Sequence, residues 1–70
     1  MIIRSQNKRV IETFDNAYVS QNSTTVFVNS YKFGEYSTED KAIKVLDDIF
    51  IMAGKGDNTL FQMPNDNEVI

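Results

Sequence analysis

Residues 33–49, FGEYSTEDKAIKVLDDI, connect a β-prone run to the one convincing helix in this 70-residue chain. Ser37 is an N-cap type of residue, and Asp40 lies three positions later, so we expect a capping box and a helix that begins at Thr38. Apolar residues then recur at the helical spacing. They predict one broad stripe that covers a sheet, formed by Ala42, Val45, Leu46, Ile49, Phe50 and Ala53.

The end of this helix is marked by glycine. Gly54 suits a left-handed C-cap, so we expect the helix to end near Ala53. Asp47 and Asp48 lie in its second half, where a carboxylate opposes the helix dipole. Ile51 projects from the polar face and is either an ordinary exposed isoleucine or a contact for a partner.

Short β-prone runs lie on both sides of the helix. The first two are separated by polar residues and predict an opening hairpin. The last is stopped by Pro64, which suits an edge strand. The predicted strands cover residues 1–4, 9–13, 17–20, 24–28, 31–36 and 59–63.

These elements predict an α+β fold. We expect an antiparallel β-meander of four to five strands, one α-helix over about residues 38–53 packed on one face, and a short C-terminal strand. Residues 1–64 are expected to form a single domain. Residues 65–70 are expected to be a flexible polar tail.

Composition excludes several kinds of chemistry. The chain has no cysteine and no histidine, which removes the usual zinc sites, nucleophile–histidine systems and histidine acid–base catalysis. A net charge of −3 with scattered basic residues disfavours nucleic-acid binding. No apolar run approaches the length of about 20 residues that spans a bilayer, and we expect a cytoplasmic protein. So small a chain without disulfides would gain stability from forming a homodimer.

Candidate sites of catalysis and ligand binding are weak. Residues 54–56, GKG, lack the spacing of a phosphate-binding loop and are typical of a helix terminus. Glu35 and Glu39 flank the junction of strand and helix, but a carboxylate pair of the glycosidase type needs a substrate cleft. We therefore predict no catalytic residue, no cofactor and no metal site.

The aromatic residues offer the best candidate surface. Val26 and Val28 point to one side of their strand and Phe27 to the other, so Phe27 faces away from the helix if the valines meet it. Tyr18 likewise points to the opposite side of its strand from Ala17 and Val19. The eight aromatic residues are either covered by the twist of the sheet, the N-terminal hairpin and the C-terminal strand, or they form a surface for a partner. The candidate partner-binding residues are Tyr18, Phe27, Tyr31, Phe33 and Ile51.

Three segments carry a resemblance to known proteins. They are IRSQ at residues 3–6, GEYSTE at 34–39 followed by KA at 41–42 and VLD at 45–47, and FQMP at 61–64. This pattern resembles small, largely uncharacterised proteins of phages, prophages and mobile elements of low-GC Gram-positive bacteria. Residues 34–42 alone are also similar to the junction of strand and helix in peptidoglycan-binding sporulation-related repeats, which have two helices. The first resemblance implies a genomic neighbourhood in phages or mobile elements more than an activity. Neither resemblance implies site residues.

Taken together, these observations predict a small non-catalytic protein-interaction module of phage or mobile-element origin. It would bind a protein partner or itself through a sheet edge and exposed aromatic residues. One alternative is an inhibitor of a host enzyme or of a bacterial immune effector. Another is an enzyme or enzyme subunit that uses only carboxylates and lysines, which would need a carboxyl of raised pKa in a dry pocket.

Overall fold

The structure, a computed structural model, describes residues 1–70 and contains six strands, one α-helix and a short 3₁₀ helix. The elements in chain order are β1 (Ile2–Arg4), β2 (Ile11–Thr13), β3 (Ala17–Tyr18), β4 (Thr25–Val28), β5 (Tyr31–Glu35), α1 (Glu39–Ala53), β6 (Leu60–Gln62) and the 3₁₀ helix Asp66–Glu68. The α+β class and the single α-helix are as predicted. No helix of the chain combines the length and the apolar character needed to cross a membrane.

The strands form two sheets rather than one meander of four to five strands. Sheet A has the order β2-β1-β6, and sheet B has the order β3-β4-β5. The predicted opening hairpin is present, because β1 and β2 pair antiparallel. The meander prediction is wrong because the chain leaves sheet A after β2, builds sheet B, and returns through α1 to place β6 parallel to β1.

Turn chemistry closes the hairpin of sheet B. Asn29 and Ser30 connect β4 to β5, and both have positive φ values, 51° and 72°. Two such residues in succession are typical of the type I′ turn that suits the twist of a hairpin. The Asn29 side-chain oxygen also accepts hydrogen bonds from the backbone N–H groups of Asp15 and Asn16. This side chain therefore ties the β4–β5 hairpin to the segment that precedes β3.

The helix begins at Glu39, one residue later than predicted. Thr38, not Ser37, is the N-cap, and its Oγ1 accepts a hydrogen bond from the backbone N–H of Lys41. The backbone N–H of Ser37 donates instead to Asp66 Oδ1 at 2.7 Å. Gly54 has φ −70°, so the predicted left-handed cap is also wrong, and the positive φ falls at Gly56.

The buried face of α1 is narrower than the predicted stripe. Ala42, Val45 and Ile49 are buried, and Met52 packs against the core. Phe50 is 79% exposed, although its spacing predicts burial. The helix packs mainly on β3 and β4. Leu46, Phe50 and Ala53 line an open depression beside Phe14 and Ala17 and are not covered by a strand.

One core joins the two sheets, the helix and the C-terminal segment. Its largest fully buried side chains are Ile3, Ile49, Met63, Val26, Val28 and Val45. Residues 65–70 do not extend away as the expected tail would. Val69 is buried in this core, and Asp66 lies 3.4 Å from the Lys41 ammonium group. Asp66 satisfies the Ser37 N–H and Val69 buries apolar surface, which holds the segment against the domain.

Candidate functional site

The five predicted partner-binding residues do not form one surface. The rings of Tyr18 and Phe27 stack with centroids 5.1 Å apart on the outer side of sheet B. Tyr31 is exposed at the start of β5, and Ile51 is exposed on α1. Phe33 is only 2% exposed and belongs to the core. The structure therefore brings two of the five together and removes Phe33 from the surface.

The outer side of sheet B is occupied by contacts within the chain. Phe27 lies opposite Tyr18 on one neighbouring strand and opposite Lys32 on the other. The Glu35 carboxylate accepts hydrogen bonds from the Thr24 and Thr25 hydroxyls, and the Lys32 ammonium group lies 3.6 Å from it. These two hydroxyl donors lower the pKa of Glu35 below its ordinary value, and Lys32 adds to the effect.

Sheet A presents a different outer face. The register places Ile2 beside Thr13 and Leu60, and Arg4 beside Ile11 and Gln62. Because alternate side chains of a strand share one side, these six residues form what we name the outer face of sheet A. Ile11 is 64% exposed and Leu60 is 74% exposed. The face contains a depression of about 370 Å³ lined by Ile2, Arg4, Ile11, Leu60, Phe61 and Gln62.

Three of the four sheet edges carry features that oppose strand addition. The edge strand β2 of sheet A has a charged residue, Glu12, at its centre. In sheet B, the edge strand β3 has only two residues. Along β5, the backbone N–H of Gln6 donates to the Phe33 carbonyl, and the Gln6 side chain bonds to both backbone groups of Glu35. Charges, shortness and cover of this kind protect edges from pairing.

The remaining edge, β6, is as short as β2, but it has no charged residue and its outward backbone groups have no partner within the chain. Its sequence is Leu60-Phe61-Gln62, without a charge or a proline, and it pairs only with β1. The Thr59 carbonyl and the Met63 N–H bond to β1. Backbone groups alternate between the two sides of a strand, so those of Leu60 and Gln62 point away from the sheet. This edge therefore offers a short ladder of donors and acceptors beside the depression.

The titratable groups with shifted pKa values serve the fold. Burial raises the pKa of Tyr36, and the nearby Asp66 and Glu68 carboxylates raise it further. The Tyr36 hydroxyl donates to the Pro64 carbonyl at 2.8 Å. The hydrogen bond from the Ser37 backbone is the main cause that lowers the pKa of Asp66.

The two glutamates considered for catalysis have separate structural partners. Glu39 accepts a hydrogen bond from the Asn22 N–H at 2.7 Å, whereas Glu35 is held by the threonine hydroxyls of sheet B. No group of three or more acidic, histidine or cysteine side chains is placed to hold a metal ion.

The sequence signal for the outer face of sheet A was present but incomplete. Ile2 and Arg4 alternate with buried Ile3, and Leu60 and Gln62 alternate around Phe61. Each pattern is short, and only the pairing of β1 with β6 places them side by side. The comparisons with protein-family models, with curated proteins and with solved structures each found no significant match.

Proposed function

We propose that this chain is a small non-catalytic protein-interaction module that binds an extended segment of a partner along β6. The observation that carries the proposal is the uncharged edge strand, whose outward backbone groups have no partner within the chain, next to an exposed apolar depression. Strand addition to such an edge obtains affinity from main-chain hydrogen bonds and specificity from side chains beside the sheet. Both elements lie together at β6.

The apolar side chains favour a protein partner over a small substrate. Leu60, Ile11 and Ile2 are aliphatic, and the depression they line lies open on a sheet face. An enzyme site usually combines an enclosed pocket with groups of perturbed pKa. Here the shifted groups, Glu35, Tyr36 and Asp66, lie outside the depression and bond to their own chain.

A three-residue strand supports a modest contact. Stable interfaces bury about 1,200–2,000 Å² in total, so one short added strand predicts transient binding unless the partner also covers the neighbouring face. The resemblance of the IRSQ, GEYSTE and FQMP segments to phage and mobile-element proteins supports an origin in such an element. A partner from the bacterial host or from the phage fits this origin.

The test compares variants in one capture experiment. Tagged wild-type protein is used to capture partners from host lysate before and after phage infection, beside Leu60→Lys and Leu60→Pro. We expect both variants to lose the specific partner, because one places a charge on the edge and the other removes its outward N–H. Ile51→Lys and Tyr31→Lys are the controls, since each charges another exposed apolar position.

The outcomes separate the candidate surfaces. Loss in both Leu60 variants with retention in the two controls supports strand addition. Loss in a control with retention in the Leu60 variants would contradict it and would favour the surface predicted from the aromatic residues. The identity of the partner refines the function, because a single stoichiometric host enzyme indicates an inhibitor.

A further inference from the structure

We propose that the partner segment bound at β6 carries a carboxylate, which Arg4 binds on the outer face of sheet A. This inference rests on the strand addition proposed above and names the chemistry of the segment. Arg4 is the one charged side chain among the six on this face, so the face is positive on a chain whose net charge is −3.

Arg4 has unused hydrogen-bonding capacity. The ion pairs of the chain join Lys32 to Glu35, Lys41 to Asp66 and Lys44 to Asp48, and none includes Arg4. Its Nε donates to Gln62 Oε1, while its two Nη groups have no partner within the chain. A guanidinium matches a carboxylate with two parallel hydrogen bonds, which these Nη donors are suited to form.

Gln62 holds the guanidinium of Arg4 beside β6. The Gln62 side-chain nitrogen donates to the Ser5 carbonyl at 3.0 Å and to the Met63 carbonyl at 2.8 Å, so the amide is held in place. Its oxygen then fixes Arg4 from the side of β6. An added strand would lie two strand spacings, about 10 Å, from β1. An arginine and a glutamate side chain reaching over Gln62 span that separation together.

The register predicts the pattern of the bound segment. A residue beside Gln62 on the outer face meets Arg4, and the residue two positions away on the same face lies beside Leu60. Leu60 is largely exposed next to Ile2 and offers apolar contact. The segment should therefore alternate, with an acidic residue and an apolar residue two positions apart.

A second copy of this chain does not supply that pattern. Symmetric pairing of two β6 strands would present Leu60 and Gln62 to one another, with no carboxylate for either Arg4. It would also place both positive charges on the same face of the joined sheet. The charge of the face therefore favours a different chain as the occupant.

The test uses three peptides with the full-length chain labelled with ¹⁵N. The probes are acetylated and amidated TVTETVT, TVTQTVT and TVTKTVT, which differ only at the central residue. We expect amide shifts at residues 60–62 for the glutamate peptide, with affinity about three- to tenfold above that of the glutamine peptide, and still weaker binding of the lysine peptide. The preference should shrink as salt is added.

Variants of Arg4 identify the group responsible. Arg4→Gln should equalise the glutamate and glutamine peptides, Arg4→Lys should restore part of the preference, and Arg4→Glu should reverse it towards lysine. Thermal unfolding of each variant checks that the fold is intact. Equal binding of all three peptides at β6 would overturn the role of Arg4 and leave strand addition standing. Absence of shifts at β6 with every peptide at millimolar concentration would overturn both.

Discussion

The outer sides of the two sheets differ both in their residues and in how their side chains are satisfied. On sheet B, Tyr18 stacks on Phe27, and Glu35 accepts hydrogen bonds from two threonine hydroxyls. On sheet A, Leu60 is exposed, and Arg4 makes one side-chain hydrogen bond. The side chains on sheet B are largely paired within the chain. On sheet A, Leu60 stays mostly exposed and the Nη groups of Arg4 make no hydrogen bond within the chain.

Residue type alone does not show whether a side chain is already covered by its own chain. Aromatic residues are enriched at interfaces, so Tyr18 and Phe27 were reasonable candidates. An aromatic residue that stacks within its own chain already has part of its surface covered, whereas an isolated aliphatic residue at a free edge does not. The aliphatic face of sheet A therefore has more to gain from a partner.

The largest expected effect contrasts the inner and outer faces of one strand. Ile3→Ala should lower the free energy of unfolding by about 2–5 kcal/mol, because Ile3 is fully buried and its loss leaves a cavity. Ile2→Ala, one residue earlier on the outer face, should have a much smaller effect. Urea denaturation measures both. Equal losses would mean that the outer face of sheet A is not open.

A smaller loss is expected where sheet B meets the segment after β6. A Cβ at Gly34 would lie 2.9 Å from Met63 Cε and from two atoms of the Tyr36 side chain, so Gly34→Ala should cost about 1–3 kcal/mol through overpacking. Gly54→Ala is the matched control. Gly54 has φ −70° and its nearest contact would be 3.4 Å, so the change should stabilise by about 0.5 kcal/mol. If Gly34→Ala left the free energy of unfolding unchanged, the packing of Gly34 against Tyr36 and Met63 would be loose.

The aromatic stack predicts a third contrast. Tyr18→Ala should cost about 1 kcal/mol because it removes the stacked partner of Phe27. Tyr31→Ala should cost much less, since no aromatic pair includes Tyr31 and its side chain is mostly exposed. Chemical denaturation measures the free energy of unfolding of both variants. If both cost the same, the pairing on sheet B would contribute nothing measurable.

The smallest expected effect depends on pH. The folded pKa of Glu35 is lower than its ordinary value of 4.5, so the ionised carboxylate stabilises the folded state above that pH. The stabilisation is lost as the pH falls through the folded pKa. Glu35→Gln should therefore be less stable than wild type at about pH 7, and the difference should shrink towards about pH 2.5.

The matched variant on sheet A is Arg4→Gln, which removes no carboxyl group. Its difference from wild type should show no comparable dependence across the acid range. Urea midpoints at a series of pH values measure both variants. A constant difference for Glu35→Gln would contradict the role assigned to the threonine hydroxyls.

Local sequence signals predicted much of the secondary structure. All six strands lie within predicted β-prone runs, and the helix ends at Ala53 as expected. The cap was misplaced by one residue because Ser37 and Thr38 are both good caps. The choice depended on Asp66, 29 residues away from Ser37, which takes the Ser37 N–H. Val69 likewise joined the core through contacts that its polar neighbours did not indicate.

Side-chain alternation, turn residues and helical spacing act over a few positions, which is why the amino-acid sequence alone was sufficient to locate the elements and the α+β class. The division into two sheets, the exposure of Phe50 and the outer face of sheet A were decided by the tertiary structure. The decisive contact is the parallel pairing of β1 with β6, in which Ile2 lies beside Leu60. That pairing is made by backbone groups common to every residue, so no local pattern records it.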